Sequence, residues 1–359
     1  MSGPTRVLVS GWVGAMNIGD ELVFRSLATK LRDRGVTVQV MSRDPEGTEA
    51  LHEVEAISWY NPSTVLGAIA GCDGFILGPG GLLQDETSVW NLPAHLHRVF
   101  AAKTARKPVL GLGLGAGPLK SKASRSLVRA ALKSVPVTVR DEESAAVLAD
   151  CGISNVTTTA DPAFGLPIPT AEVADRIVVS LRPFSGGGGV IPARRSDLRS
   201  FDSDDRIGAA ARALDDLSVR TSLPIHLLAF EGERDAPYHH RIASEMSAPV
   251  TESTASVDTV FDEIAKSRLV VAMRYHAVVS AVMAGRPAVV IAYSPKVRSI
   301  GTLMGSGALI LENDASSLTT IPDGADLLGT THDLIAVRDH LRHAESGNDQ
   351  AIDNLLNSI

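Results

Sequence analysis

Arg274, His276, Lys296 and Arg298 fall in one stretch, MRYHAVVSAVMAGRPAVVIAYSPKVRS, and no aspartate or glutamate occurs from Arg268 through Ile310. Arginine binds carboxylate and phosphate in two-pronged fashion, lysine supplies a point charge, and an imidazole can give or take a proton near neutrality. That set suits an anionic ligand that must also be protonated. A lone histidine beside an apolar helix is more often a core residue, and hidden acids could balance the cations; the density of charge favours a ligand over both. Arg140, at the end of VTVR, and Arg182, at the end of VVSLR, each close a strand-like run. Pairing of Arg140 with Asp141 is the plainer alternative for the first. For the second, SGGGGV at 185–190 reads as a loop that could cover a site.

The elements that must hold these residues are strands and helices in alternation. Leu269–Met273 is a short apolar run that gives way to a helical pattern at Arg274, and Ala288–Tyr293 is a second buried strand ending in Ser-Pro-Lys-Val-Arg. Two successive strands therefore release cations at their C-terminal ends, where open α/β sheets bind ligands. In the first half, three glycine turns follow predicted strands: GWVGAMNIGDE, GPGGLLQDETS and GLGLGAGP. Glycine lets backbone approach a ligand, and a helix start offers free N–H groups. The three together predict one lined edge of a sheet, with Asn17, Asp20, Glu21, Gln84, Asp85 and Glu86 as acceptor-side or base candidates. Asn17 and Asp20 serve equally well as helix caps.

Strand-like and amphipathic runs alternate throughout, which predicts α/β architecture with parallel sheets. The Pro-rich segment FGLPIPT, Phe164–Thr170, reads as a linker. The division expected is residues 1–164 as an N-terminal Rossmann-like domain on the acceptor side and 172–331 as a C-terminal Rossmann-like domain on the donor side. Residues 332–359 form a helical tail that could cross back. The two domains would face one another across a crevice.

A net charge of -7 argues against a nucleic-acid binder. The charge is uneven, however: from Thr87 to Val139 there is no acid, while Lys122, Arg125, Arg129 and Lys133 form one face of a predicted helix, 121–134. A solvated face is the ordinary reading of such a stripe. Peripheral contact with an anionic membrane surface is the functional one, worth about 1 kcal/mol per basic residue. Cys72 and Cys151, with no paired spacing, suggest neither a disulfide framework nor a metal site. The N-terminus lacks a signal-peptide layout and no run is long enough to span a membrane, so a cytoplasmic setting is expected.

GWVGAMNIGDE, GPGGLLQDETS, GLGAGP, VTVRDEES, ADPAF and MRYHAVVSAVMAGRPAVVIAYSPKVRS follow one another in an order that resembles the polysaccharide pyruvyl transferase family. Pro79 and Gly81 stand where that family more often has Gly and Ser, and 186–205 is longer than expected. The resemblance implies a glycosyltransferase-B-like fold. It also implies transfer of pyruvate from phosphoenolpyruvate onto a sugar of a cell-envelope glycan or glycolipid as a ketal, with Arg140, Arg182, His276 and Lys296 at the active site. Arg274, Lys296 and Arg298 would hold the donor, and His276 would be the acid. Phosphoenolpyruvate is then a co-substrate, with no resident cofactor and no metal, and the acceptor is a sugar that could be lipid-linked. A nucleotide-sugar glycosyltransferase of the same architecture is the nearest rival, disfavoured by the missing acids that would hold a ribose. A non-catalytic sugar-phosphate-binding protein is the third reading.

Overall fold

The computed structural model describes residues 4–86, 88, 90–183, 204–312 and 331–359. The segment 184–203, which holds the tetraglycine loop and most of the long 186–205 insertion, lies outside the described residues. The chain forms two parallel sheets, each built of βα units. The first contains β1 (Arg6–Val13), β2 (Thr37–Ser42), β3 (Glu55–Ser58), β4 (Gly74–Leu77), β5 (Gly80–Leu83), β6 (Val109–Ala116), β7 (Val137–Val139) and β8 (Val156–Thr158). Their order is β3-β2-β1-β4-β6-β7-β8, with β5 paired to β6 beside this path.

The second sheet contains β9 (Ile177–Ser180), β10 (Ile225–Ala229), β11 (Val250–Thr254), β12 (Leu269–Ala272), β13 (Ala288–Ala292) and β14 (Ala308–Glu312), in the order β11-β10-β9-β12-β13-β14. Both sheets reverse their winding beside the first strand of the set, between β1 and β4 and between β9 and β12. These are the switch points at which such sheets open a crevice. Each central strand reads as a near-continuous apolar run because it is covered on both faces; all four residues of β12 and all five of β13 are buried.

Six helices accompany the first sheet: α1 (Ile18–Arg32), α2 (Pro45–His52), α3 (Pro62–Gly71), α4 (Asn91–Thr104), α5 (Lys122–Leu132) and α6 (Glu142–Asp150). Among the described residues five accompany the second: α7 (Asp204–Thr221), α8 (Gly232–Glu245), α9 (Val260–Ala265), α10 (Tyr275–Ala284) and α11 (Pro295–Leu303). The tail forms α12 (Thr331–Glu345) and α13 (Gly347–Leu356). Asn348 in α13 accepts a hydrogen bond from Thr138 Oγ1 of the first sheet at 2.6 Å, and Ile352 and Leu355 join the core beneath β1 and β6. Among the described residues no helix is long and apolar enough to cross a membrane.

One apolar cluster joins the two halves. Leu22 and Val23 of α1 pack with Phe164 and with Val278 and Val282 of α10. Main-chain bonds reinforce the contact: Ile18 N–H donates to the Phe230 carbonyl at 3.1 Å, and Asn17 forms a β-bridge with Glu231. The start of α1 is thereby fixed against the second domain.

The basic helix α5 takes the amphipathic form expected of it, with Val128, Ala131 and Leu132 buried. Two of its three cations are committed to backbone carbonyls. Arg125 donates to Leu119 at 2.7 Å, and Arg129 to Cys151 at 3.2 Å.

Candidate functional site

The starts of three helices meet in the crevice. Asp20 stands in the first turn of α1, after Asn17 has capped that helix by accepting from Gly19 N–H at 3.1 Å. His276 stands in the first turn of α10, directly after β12 ends at Ala272. Lys296 stands in the first turn of α11, where Pro295 occupies the position at which a missing N–H costs nothing. Helix α10 can approach this closely because its sequence, YHAVVSAVMA, is apolar almost all round and is buried on nearly every side. Gly285, with φ at 63°, ends it in a left-handed turn that a side chain would strain.

The carboxylate of Asp20 lies among cations from both domains. Burial raises its pKa from 3.8 to about 6, and His276, Lys296 and Arg140 only partly offset that rise. The group is half-buried by accessible surface: its oxygens are sunk among protein atoms yet still open to the crevice. Lys296 is more exposed than Asp20, yet crowding by protein atoms still depresses its ammonium pKa below the ordinary lysine value. Arg140 is buried at the end of β7, with its guanidinium 4.2 Å from the Tyr275 ring. Arg182, following β9, donates to the Tyr293 hydroxyl at 2.9 Å. Burial tends to raise the Tyr293 pKa, but Lys296 and Arg182 outweigh it and draw the phenol below its usual value.

Asp161 was not singled out by sequence reasoning, although the ADPAF motif contains it. It is buried at the hinge between the domains, 3.6 Å from His276 Nε2 and 3.5 Å from Arg140. Burial acts to raise its pKa, yet His276 and Arg140 hold it below the carboxylate norm, so it is an anion at neutral pH. His276 Nε2 itself is buried without a hydrogen-bond partner. Tyr275 packs edge-on to His276 with ring centroids 5.0 Å apart, and its burial keeps the phenol protonated.

The glycine turns act one step removed from a ligand. A Cβ on Gly19 would overlap Nδ1 of His276, one on Gly80 would sit 3.3 Å from Asp20 Oδ1, and one on Gly115 would lie 2.9 Å from the Arg140 guanidinium carbon. They clear space for the charged side chains. Gly81 faces Arg140 at 3.9 Å.

Other candidates are placed elsewhere or already engaged. Arg274 forms a buried double ion pair with Asp235 and a 2.8 Å pair with Glu231, so acids that follow β10 neutralise it. It supports the turn and brings no free cation. Arg298 is largely exposed and pairs with Glu312, away from the cluster. Glu21 is buried and bound to Gly14 N–H and His52, both at 2.8 Å. Asp85 caps the approach to α5 through Lys120 and Ser121 N–H, and Glu86 pairs with Lys120 at the surface. Gln84 accepts from Glu86 N–H through its side chain. Asn17 donates to Asp20 at 2.7 Å and so positions that carboxylate. Of the acids considered as bases, Asp20 alone stands in the cluster.

The family profile described as polysaccharide pyruvyl transferase matches residues 17–295. A search of curated proteins finds no match. Among solved structures, Anabaena HepE in complex with UDP aligns with a TM-score of 0.65 at 15% identity, covering 99% of this chain and 100% of that one. The S. aureus MnaA–UDP co-structure aligns at 0.66 and 12% identity, covering 99% and 98%. The Neisseria meningitidis UDP-GlcNAc 2-epimerase bound to UDP-GlcNAc aligns at 0.62 and 12%, covering 99% and 100%. At these identities the likeness concerns the fold: two Rossmann-like domains in a glycosyltransferase-B-like arrangement.

Proposed function

Because the chain belongs to the polysaccharide pyruvyl transferase family, we propose that it transfers pyruvate from phosphoenolpyruvate to a sugar as a ketal and releases phosphate. The observation that carries this reading is the cluster of Arg140, His276 and Lys296 around one carboxylate, Asp20, whose pKa lies at about 6, with Arg182 beside Lys296 and Tyr293. Phosphoenolpyruvate brings a carboxylate and a phosphate of roughly -1.5 to -2, which calls for several cations in a site of low dielectric. Arg140, Arg182 and Lys296 supply them without Arg274 or Arg298.

The chemistry needs a proton on the methylene carbon and removal of protons from two hydroxyls. His276 donates the first. As the neighbouring carbon becomes electron-poor, one sugar hydroxyl attacks it and passes its proton to Asp20. The carbon–oxygen bond to phosphate then breaks, and the second hydroxyl closes the ring. Of the two hydroxyl protons, one restores His276 and the other leaves with phosphate, so the balance closes. A base with a pKa near 6 is matched to this work at neutral pH. Asp161, held ionised against His276, orients the imidazole. The setting of this reaction is a cell-envelope glycan or glycolipid handled on the cytoplasmic side.

Incubation with phosphoenolpyruvate and a nitrophenyl glycoside or lipid-linked sugar is expected to release phosphate, whereas a parallel incubation with a UDP-sugar releases no UDP. Release of UDP without phosphate would turn the assignment to glycosyl transfer. Tight binding of phosphoenolpyruvate with neither product would reduce the protein to a binding module.

A further inference from the structure

The C-terminal edge of the first sheet carries a second arrangement that the transfer chemistry leaves unused. Trp12 lies near the end of β1, Arg43 directly follows β2, and Trp59 and Tyr60 directly follow β3. These strands are neighbours in the order β3-β2-β1, so the residues form a strip that runs inward to the turn carrying Asp20. The Arg43 guanidinium lies 3.8 Å from the Trp12 ring centroid and 6.0 Å from that of Tyr60. Arg43 is exposed and Tyr60 is 65% exposed.

Beneath this surface is a rigid buried layer. Trp59 meets Trp12 edge-on at 6.1 Å, and His95 of α4 packs against both rings. Arg98 lies 3.4 Å over the Trp59 ring and donates to the Trp59 carbonyl. Its Nε and Nη1, and both ring nitrogens of His95, are buried without partners. Among the described residues no carboxylate pairs with Arg43 or Arg98. Burial lowers the His95 pKa to about 3, so that ring adds no charge, while Arg98 stays a cation with a pKa of about 10. Two arginines stacked on tryptophan faces, one buried and one exposed, thus leave positive charge uncompensated at the surface. The exposed Tyr60 ring beside it suits the apolar face of a pyranose, while the Trp12 face is taken by Arg43 and holds that guanidinium in place.

We propose that Tyr60 and Arg43, the latter held on Trp12, form an acceptor subsite for a sugar that carries a negative group, the ring lying on Tyr60 and the anion on Arg43. The proposal rests on the transferase reading for the word acceptor, but the site itself requires only binding. A phosphate or a carboxylate would satisfy Arg43 equally.

The test measures binding of glucose 1-phosphate, p-nitrophenyl β-glucuronide and neutral p-nitrophenyl β-glucoside to the full chain by calorimetry. At least one anionic probe is expected to bind five-fold or more tightly than the neutral one, and which one does so tells phosphate from carboxylate. Arg43→Gln should remove that preference, and Tyr60→Ala should weaken all probes alike. Equal affinity of the three probes, or a preference that survives Arg43→Gln, overturns the subsite. Phosphoenolpyruvate affinity, titrated separately, reads the other site. If the donor is not used while the anionic preference still depends on Arg43, the subsite stands and the pyruvyl reading falls; the reverse pattern sinks the subsite alone.

Discussion

At the C-terminal edge of the first sheet Gly19 at the start of α1, Gly80 at the start of β5 and Gly115 near the end of β6 each abut a side chain of the cluster. At the same edge of the second sheet, the turns after β12 and β13 contain no glycine and present His276 and Lys296 at helix starts. One edge makes room and contributes a carboxylate; the other contributes the imidazole and the ammonium. The contrast teaches that the two domains are not interchangeable copies. Where a side chain of one domain abuts the backbone of the other, as His276 does at Gly19, the residue it meets has to lack a side chain. That requirement falls on the first domain, whose helix α1 enters the crevice end-on.

The largest effect should come from removing the imidazole. His276→Ala is expected to lower phosphate release by about 10²- to 10⁴-fold, the range of a lost general acid, with an unchanged unfolding transition. Retained turnover would make the second edge a binding surface only. Next in size is Gly19→Ala. Its backbone is helical and accepts alanine, but the added methyl would overlap the His276 ring where the start of α1 meets the second domain, so the ring or the contact must shift. A displaced acid should cost about 100-fold in kcat, and the overlap should also lower the melting temperature, as overpacking of a tight contact does. Wild-type kcat in this variant would show that the clearance at Gly19 serves packing alone.

The smallest effect concerns Asp20 and is read in pH. Its folded pKa lies above its ordinary value, so the protonated form is favoured by the fold. Its contribution to stability is therefore present below about pH 3.8 and is lost as pH rises through about 6. Asp20→Asn should stabilise the protein at pH 8 by up to about 2 to 3 kcal/mol, less where crevice water screens the charge, and should do little at pH 4. The rate in wild type should climb through about pH 6 as the base ionises, and the variant should lose that limb. Denaturant unfolding at the two pH values and a pH–rate profile check both halves; a variant no more stable at pH 8 would contradict the burial of this carboxylate.

Legibility in the sequence followed burial. The central strands, such as VVSL and LVVAM, are apolar runs with no other use and could be read directly. The strands that gave no signal are β3, β11 and β14, with sequences EAIS, VTEST and ALILE, and all three lie at sheet edges. An edge strand has one partner and a wet face, so the residues of β3 and β11 need not be apolar; β14 is apolar over ALIL but short and mostly half-buried. The turn GPGG was read as glycine-rich loop, but Gly80–Leu83 forms β5 by pairing with β6. At the site, cations at strand ends announced themselves, because a cation at such a position has a limited set of uses. Their partners did not. Asp235 lies 39 positions from Arg274, and only the fold shows that this arginine is neutralised. Asp161 lacked a visible role for the same reason: its meaning depends on Arg140 and His276, which reach it from other elements.

The main-chain bond from Ile18 to Phe230 joins the two domains one residue away from Gly19. No side-chain replacement short of proline removes it. His276 abuts Gly19 and lies in the field of Asp20 across this contact, so under the proposed reaction an opening of the domains that broke this bond would part the acid from the base together. In the open state the donor would face cations but no assembled proton-transfer pair. Futile hydrolysis of an energy-rich enol phosphate by stray water would then be suppressed until the acceptor is enclosed.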